Sequence, residues 1–180
     1  VGIMTTLTDL AKNSAPRNVA ADIGQLFGNA IAKKIDTDLL ALFDGFSVTA
    51  GSSSTVLSPA TIFNAGAVLR ANGLDTSECY AVVHPHVGNE ALRSGYVGRL
   101  AGMQIFESAN MANTGTAGNY KVGIFHKDAL ALAMMQDIKI ETQRDASLRG
   151  TEFVATAVYG VGEIHDSYGV ELHVNSSIVS

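Results

Sequence analysis

A long, proline-free stretch in which apolar residues return every three or four positions constrains this chain most. Between residues 18 and 43 they fall at Val19, Ile23, Leu26, Phe27, Ala30, Ile31, Ile35, Leu39, Leu42 and Phe43. That spacing lines one face of an α-helix, and Gly45 follows as its C-terminal cap. At 1.5 Å per residue the helix is roughly 40 Å long. A compact domain of 180 residues needs nothing so long, so the helix is expected to cross the molecule as a backbone. Gly24 and Gly28 lie one turn apart inside it, each costing about 1 kcal/mol relative to Ala. They mark either close packing against a sheet, the commoner reason for a helix glycine, or a place where the helix can bend.

Other elements follow from local pattern. Residues 1–7 mix β-branched and apolar side chains as a strand does, and the pattern breaks over residues 8–16. Residues 48–55, rich in Gly, Ser and Thr, read as a flexible connection. Ser58 as N-cap and Pro59 at the first helical position open a second helix, with Ile62, Ala65, Gly66 and Leu69 on one face and a stop at Asn72 and Gly73. Residues 79–84 form a buried strand closed by Pro85, 87–93 a short helix, 103–106 a short strand and 121–125 a central strand. Residues 109–119, full of Asn, Thr and Gly, form an exposed loop. The Ala, Leu and Met of residues 129–135 favour a helix, with a strand as the alternative. Residues 138–142, 153–158 and 170–174 alternate with period two as half-buried strands. Helices come early and strands late, without regular βαβ alternation, so the class is α+β.

Composition narrows the function. With 12 Lys and Arg against 17 Asp and Glu, the net charge of −5 excludes a cationic surface dominating the protein. Mean hydropathy is high, at +0.19. The longest apolar run, residues 129–135, is nevertheless far short of the ~20 residues that cross a bilayer. The surplus apolar area therefore needs a large core or neighbouring subunits. Cys79 is the only cysteine, which excludes an intrachain disulfide and fits a reducing compartment; its apolar strand makes it an inert thiol.

Candidate chemistry is sparse. His84, His86 and Glu90 could ligate a transition metal, although their spacing suits one helix face poorly and a strand-end turn is the plain alternative. His126, His165 and His173 are scattered singles. Gly160-Val161-Gly162 lacks both the dinucleotide and the P-loop pattern, and no nucleophile elbow occurs. No cofactor is implied. Residues 144–149 form a compact turn of mixed charge, in which Arg144, Asp145 and Arg149 suit intersubunit ion pairs or a simple charged hairpin.

The order of these elements resembles that of the major capsid proteins of tailed bacteriophages, the HK97-type fold. Residues 21–42 are similar to that family's spine helix, and Tyr80-Ala81-Val82-Val83-His84-Pro85 to its strand ending in an Asn-Pro or His-Pro step. Glu90-Ala91-Leu92-Arg93 resembles the short helix behind that strand. Arg99 to Ser108, Gly123 to Leu132, Ile138-Lys139-Ile140-Glu141, Tyr159-Gly160-Val161-Gly162 and Tyr168 to Leu172 follow in the family's order over nearly the whole chain.

The resemblance implies a spine helix, a P-domain sheet, and an A-domain whose central sheet is flanked by helices. Residues 1–48 would hold a P-domain strand and the spine, 49–135 the A-domain, 136–166 the P-domain strands and 167–180 a returning A-domain strand. It further implies a non-catalytic subunit that assembles with itself into pentamers and hexamers around double-stranded DNA, in a virion head built in the host cytoplasm. Portal, scaffolding and decoration or cement proteins would be its other partners. The family's N-terminal arm and most of its E-loop would be lacking. Arg144, Asp145, Arg149, Asn113 and Thr114 become candidate assembly contacts, and Gly24 and Gly28 a candidate bend of the spine. Two alternatives stand beside it: an encapsulin shell, and a small metal-dependent α+β enzyme using His84, His86 and Glu90.

Overall fold

Two sheets organise the chain in a computed structural model that describes residues 1–14, 18–93, 98–111, 118–176 and 178. In order, the elements are β1 (Gly2–Thr8), α1 (Asp9–Ser14), α2 (Val19–Ala41), β2 (Thr49–Val56), α3 (Pro59–Ala71), β3 (Cys79–Val83), α4 (Pro85–Arg93), β4 (Arg99–Leu100), β5 (Met103–Glu107), β6 (Asn119–His126), β7 (Leu130–Asp145), β8 (Gly150–Glu163) and β9 (Gly169–Asn175). Single 3₁₀ turns lie at Leu42–Gly45, Thr76–Glu78 and Asp166–Tyr168. The mixture of helix and sheet is the α+β class expected, and α2 is the expected long helix, tightening into a 3₁₀ turn at Leu42. The elements divide into two compact units, Val1–Asp36 with Leu132–Gly160, and Thr37–Ala131 with Val161–Ser180.

In the first unit the sheet order is β1-β8-β7. β1 runs antiparallel to β8, pairing Gly2 with Thr156 through Thr8 with Gly150. Phe27 and Ile31 of α2 pack on Ala155 and Ala157 of β8, with Ile3, Ile23, Ile35, Phe153 and Tyr159 around them. Alanine on the strand lets the aromatic and branched helix residues settle close to the sheet, each large side chain gaining about 1.5–3 kcal/mol from burial.

The second unit holds a six-stranded sheet in the order β2-β9-β6-β3-β5-β4. α3 covers one face. Its N-cap is the predicted Ser58, whose Oγ accepts from the Thr61 N–H at 3.4 Å, and Ile62, Ala65 and Leu69 meet Cys79, Ala81, Val83, Val122 and Ile124. On the other face Phe43 and Phe46 lie over glycines. A Cβ at Gly123 would stand 2.3 Å from the Phe43 ring, and one at Gly169 2.2 Å from the Phe46 ring. Beside them Lys121 lies 2.9 Å from Glu171 Oε1 and also pairs with Asp44.

Several local expectations change. Gly45 does not cap the long helix, since it lies inside the 3₁₀ turn that Phe46 caps, and residues 138–142 are exposed throughout rather than half-buried. Residues 48–55 are not a flexible connection: Thr49–Val56 is an edge strand parallel to β9. β9 supplies the backbone partners, and Gly51, at φ +81°, fits where a Cβ would meet the His173 carbonyl at 2.4 Å. Residues 129–135 are not a helix, because Leu130–Asp145 is one continuous strand hydrogen-bonded to β8; sheet pairing outweighs a propensity difference of a few tenths of a kcal/mol per residue. Within residues 8–16, where the pattern breaks, Asp9–Ser14 forms a short helix.

Candidate functional site

The charged turn joins β7 to β8 as expected, and its own chemistry explains its shape. The Asp145 carboxylate accepts from the Ser147 N–H at 2.8 Å, the Ser147 hydroxyl at 2.6 Å and the Leu148 N–H at 3.3 Å. Arg149 closes the turn in the left-handed region at φ +46°. Arg144 donates through both terminal nitrogens to Asp9, at 2.6 and 2.7 Å, and the Asp9 N–H donates to the Arg149 carbonyl at 2.8 Å. The turn and α1 thus form one corner, where Leu10 is 80% and Leu148 56% exposed. The hydrogen bonds from Arg144 hold the Asp9 carboxyl below its ordinary range, with Arg144, Lys12 and Arg149 adding charge. Asn113 and Thr114 lie outside the described residues.

That corner yields a prediction. Because the folded pKa of Asp9 is depressed, its contribution is present above the unfolded value of 3.8 and is lost as pH falls through the folded value. Arg144→Ala should therefore speed amide exchange in Asp9–Ser14 at neutral pH, and the difference from wild type should vanish in strong acid and shrink in high salt. Equal exchange at neutral pH would show that α1 is held by other contacts.

The helix glycines have room. A Cβ at Gly24 would meet only Ile140 Cδ1, at 4.0 Å, and one at Gly28 would meet nothing within 4 Å. Close packing inside this chain therefore requires neither. Replacing both by Ala should stabilise α2 by about 1–2 kcal/mol, read as a higher melting temperature of the chain; a lower one would reveal a packing demand.

His84 and His86 are committed to a ring cluster. The His84 ring stacks on Tyr120 with centroids 4.1 Å apart and planes 11° apart. His86 Nδ1 lies 2.9 Å from the Tyr120 hydroxyl, and the His86 N–H donates to His84 Nδ1 at 3.2 Å. Burial, then the neighbouring His86, holds His84 below its ordinary pKa. Among the described residues no group of three or more His, Cys, Asp or Glu could hold a metal ion. Burial pushes the Cys79 thiol up to about 11, so it is no nucleophile at neutral pH. His126, read as a scattered single, is buried beside Glu78 and Asp128, at 3.3 and 3.5 Å.

Local motifs missed a long exposed apolar feature. β7 is an edge strand in which every residue from 132 to 144 is exposed, among them Leu132, Met134, Met135, Ile138 and Ile140. Monomeric proteins shorten, charge or cover such edges; here residues 132–136 carry no charge at all.

Comparison with known proteins gives the family and the fold. A sequence model described as phage capsid protein matches residues 1–170. A chain from Mycobacterium phage Che8 is similar at 18% identity and TM-score 0.80, over 96% of this chain and 69% of that one. The capsid of cyanophage P-SCSP1u matches at 17% identity and TM-score 0.79, over 98% and 72%. The holo-SrpI encapsulin complex from Synechococcus elongatus matches at 10% identity and TM-score 0.79, over 100% and 75%. No curated protein matches in sequence. The structural likenesses give the HK97-type fold. The match along nearly the whole sequence gives the family, so the chain belongs to the phage capsid proteins.

Proposed function

We propose that this chain is the major subunit of an icosahedral phage head, assembling with itself into pentamers and hexamers that enclose double-stranded DNA. The match to the capsid family over residues 1–170 carries the reading. The bare edge of β7 supports it, since a subunit destined for a shell can leave apolar strand surface for its neighbours to cover. The unit built on β1, β8 and β7 is assigned as the P-domain, α2 as the spine and the six-stranded unit as the A-domain. The subunit has no catalysis of its own, assembles in the host cytoplasm and works beside portal, scaffolding and cement proteins. Gly24 and Gly28 let the spine bend in a precursor shell; if so, the double Ala variant will form precursor particles whose expansion differs from wild type. Unchanged curvature and expansion would remove that role.

Negative-stain microscopy of the expressed full chain tests the main reading. Closed particles tens of nanometres across are expected, and a small oligomer under all assembly conditions would overturn it. Particles from infected cells should carry DNA; protein cargo in its place would favour an encapsulin.

A further inference from the structure

Among the described residues, one face of the six-stranded sheet is covered along only half its width. Register places Arg99, Gln104, Tyr80, Phe125 and Gly169 in one row across β4, β5, β3, β6 and β9, with Phe106 and Val82 in the next. The chain's own Phe43 and Phe46 cover the β6 and β9 end, where they are 1% and 3% exposed. From Phe43 the rings continue outward, 5.1 Å to Phe125, 6.3 Å on to Tyr80 and 6.0 Å on to Phe106 between centroids. These are the spacings of packed aromatic interiors, yet the row ends in solvent, with Phe106 50% exposed.

Charge distinguishes the two edges of this sheet. Arg99 and Gln104 are exposed beside Phe106, and Arg99 has no ion-pair partner among the described residues. The nearest acid in sequence, Glu107, belongs to the other face, where its Oε1 lies over Gly88 of α4. At the opposite edge, just before β2 and β9, Asp166 accepts from the Ser47 N–H at 2.6 Å and hydrogen-bonds to Glu163. No Lys or Arg pairs with either carboxylate among the described residues. Burial, then the neighbouring Asp166, pushes the Glu163 carboxyl up, as expected for two acids facing each other without a cation. Five strand spacings separate β4 from β2, about 24 Å. A ring of identical subunits needs this arrangement: two unlike, complementary surfaces on opposite sides of one unit.

We propose that the open end of the aromatic row is a docking surface for a second copy of this chain, whose Glu163 and Asp166 corner seats over Arg99 and Phe106. The proposal rests on the shell reading above and names a contact within it.

Hydroxyl-radical footprinting of the wild-type chain, unassembled and in particles, tests the contact without any substitution. Tyr80 and Phe106 should lose reactivity about tenfold on assembly. Particles that leave Phe106 as reactive as in the free subunit would overturn the contact and spare the shell reading, whereas a chain that forms no particles overturns both. Substitution gives the second arm. Arg99→Glu and Glu163→Lys should each lower particle yield about tenfold or more with little change in melting temperature, and the double variant should recover most of it. Normal particles from Arg99→Glu, or a double variant no better than either single one, would overturn the pairing.

Discussion

Gly123→Ala is expected to destabilise the second unit by about 3 kcal/mol, the upper end of what overpacking costs. The substituted methyl would fall 2.3–2.6 Å from three atoms of the Phe43 ring. That ring cannot retreat easily, because it is 1% exposed and packed between Phe46 and Phe125, with centroids 6.0 and 5.1 Å away. At about 2–4 °C per kcal/mol for a chain of this size, the melting temperature should fall by roughly 6–12 °C. Phe43→Leu in the same chain should recover part of the loss, because the clash and its relief share one space and cannot be additive. A fully additive double variant would place the ring elsewhere.

The second large effect is electrostatic. Lys121→Met should cost about 3–5 kcal/mol, the range seen when one partner of a buried pair is removed. The Glu171 side chain is only 5% exposed, and Lys121 Nζ lies 2.9 Å from its Oε1 as a close ion pair rather than a well-directed hydrogen bond. His173 Nε2 stands 3.3 Å from the same oxygen. Asp44, 70% exposed, loses little when the lysine goes. Replacing both Lys121 and Glu171 by apolar residues should return most of the stability, since the cost lies in a stranded charge. For Lys121, burial lowers the pKa but its bonds to Asp44 and Glu171 outweigh that and raise it. Its contribution is therefore complete below the unfolded value of 10.5 and fades as pH rises through the folded one. The Asp44 carboxyl is held down by its hydrogen bond and charge contact with Lys121, so its share fades as pH falls through its folded value, below 3.8. The difference between wild type and Lys121→Met should thus be flat between roughly pH 5 and 9 and shrink in strong acid and strong alkali.

What the sequence shows depends on how local its cause is. α2 is readable because its apolar residues repeat within one helix, and α3 because Ser58 and Pro59 mark its start chemically. β2 escapes local reading because its strand character comes from β9, far along the chain, and not from its own Gly, Ser and Thr. β7 escapes for the opposite reason: Ala, Leu and Met are good helix formers, and only pairing with β8 overrides them. The charged turn is legible as a turn, yet Asp9, the partner of Arg144, lies 135 residues away, a distance no motif spans. The aromatic row is still less visible, since Phe43, Phe125, Tyr80 and Phe106 become neighbours only through strand register. The glycines facing Phe43 and Phe46 were present in the sequence, but nothing local separates them from turn glycines.

Cys79 gives the protein a built-in clock. The one thiol of the chain is fully buried in β3, and desolvation keeps it protonated up to about pH 11. A soluble thiol reagent can therefore reach it only when the six-stranded sheet opens, and the labelling rate counts openings. In free subunits that rate reports how often the unit breathes; in closed particles it reports how far neighbours suppress the breathing. The comparison needs no introduced label, and it converts shell formation into a change of kinetics at a single sulfur atom.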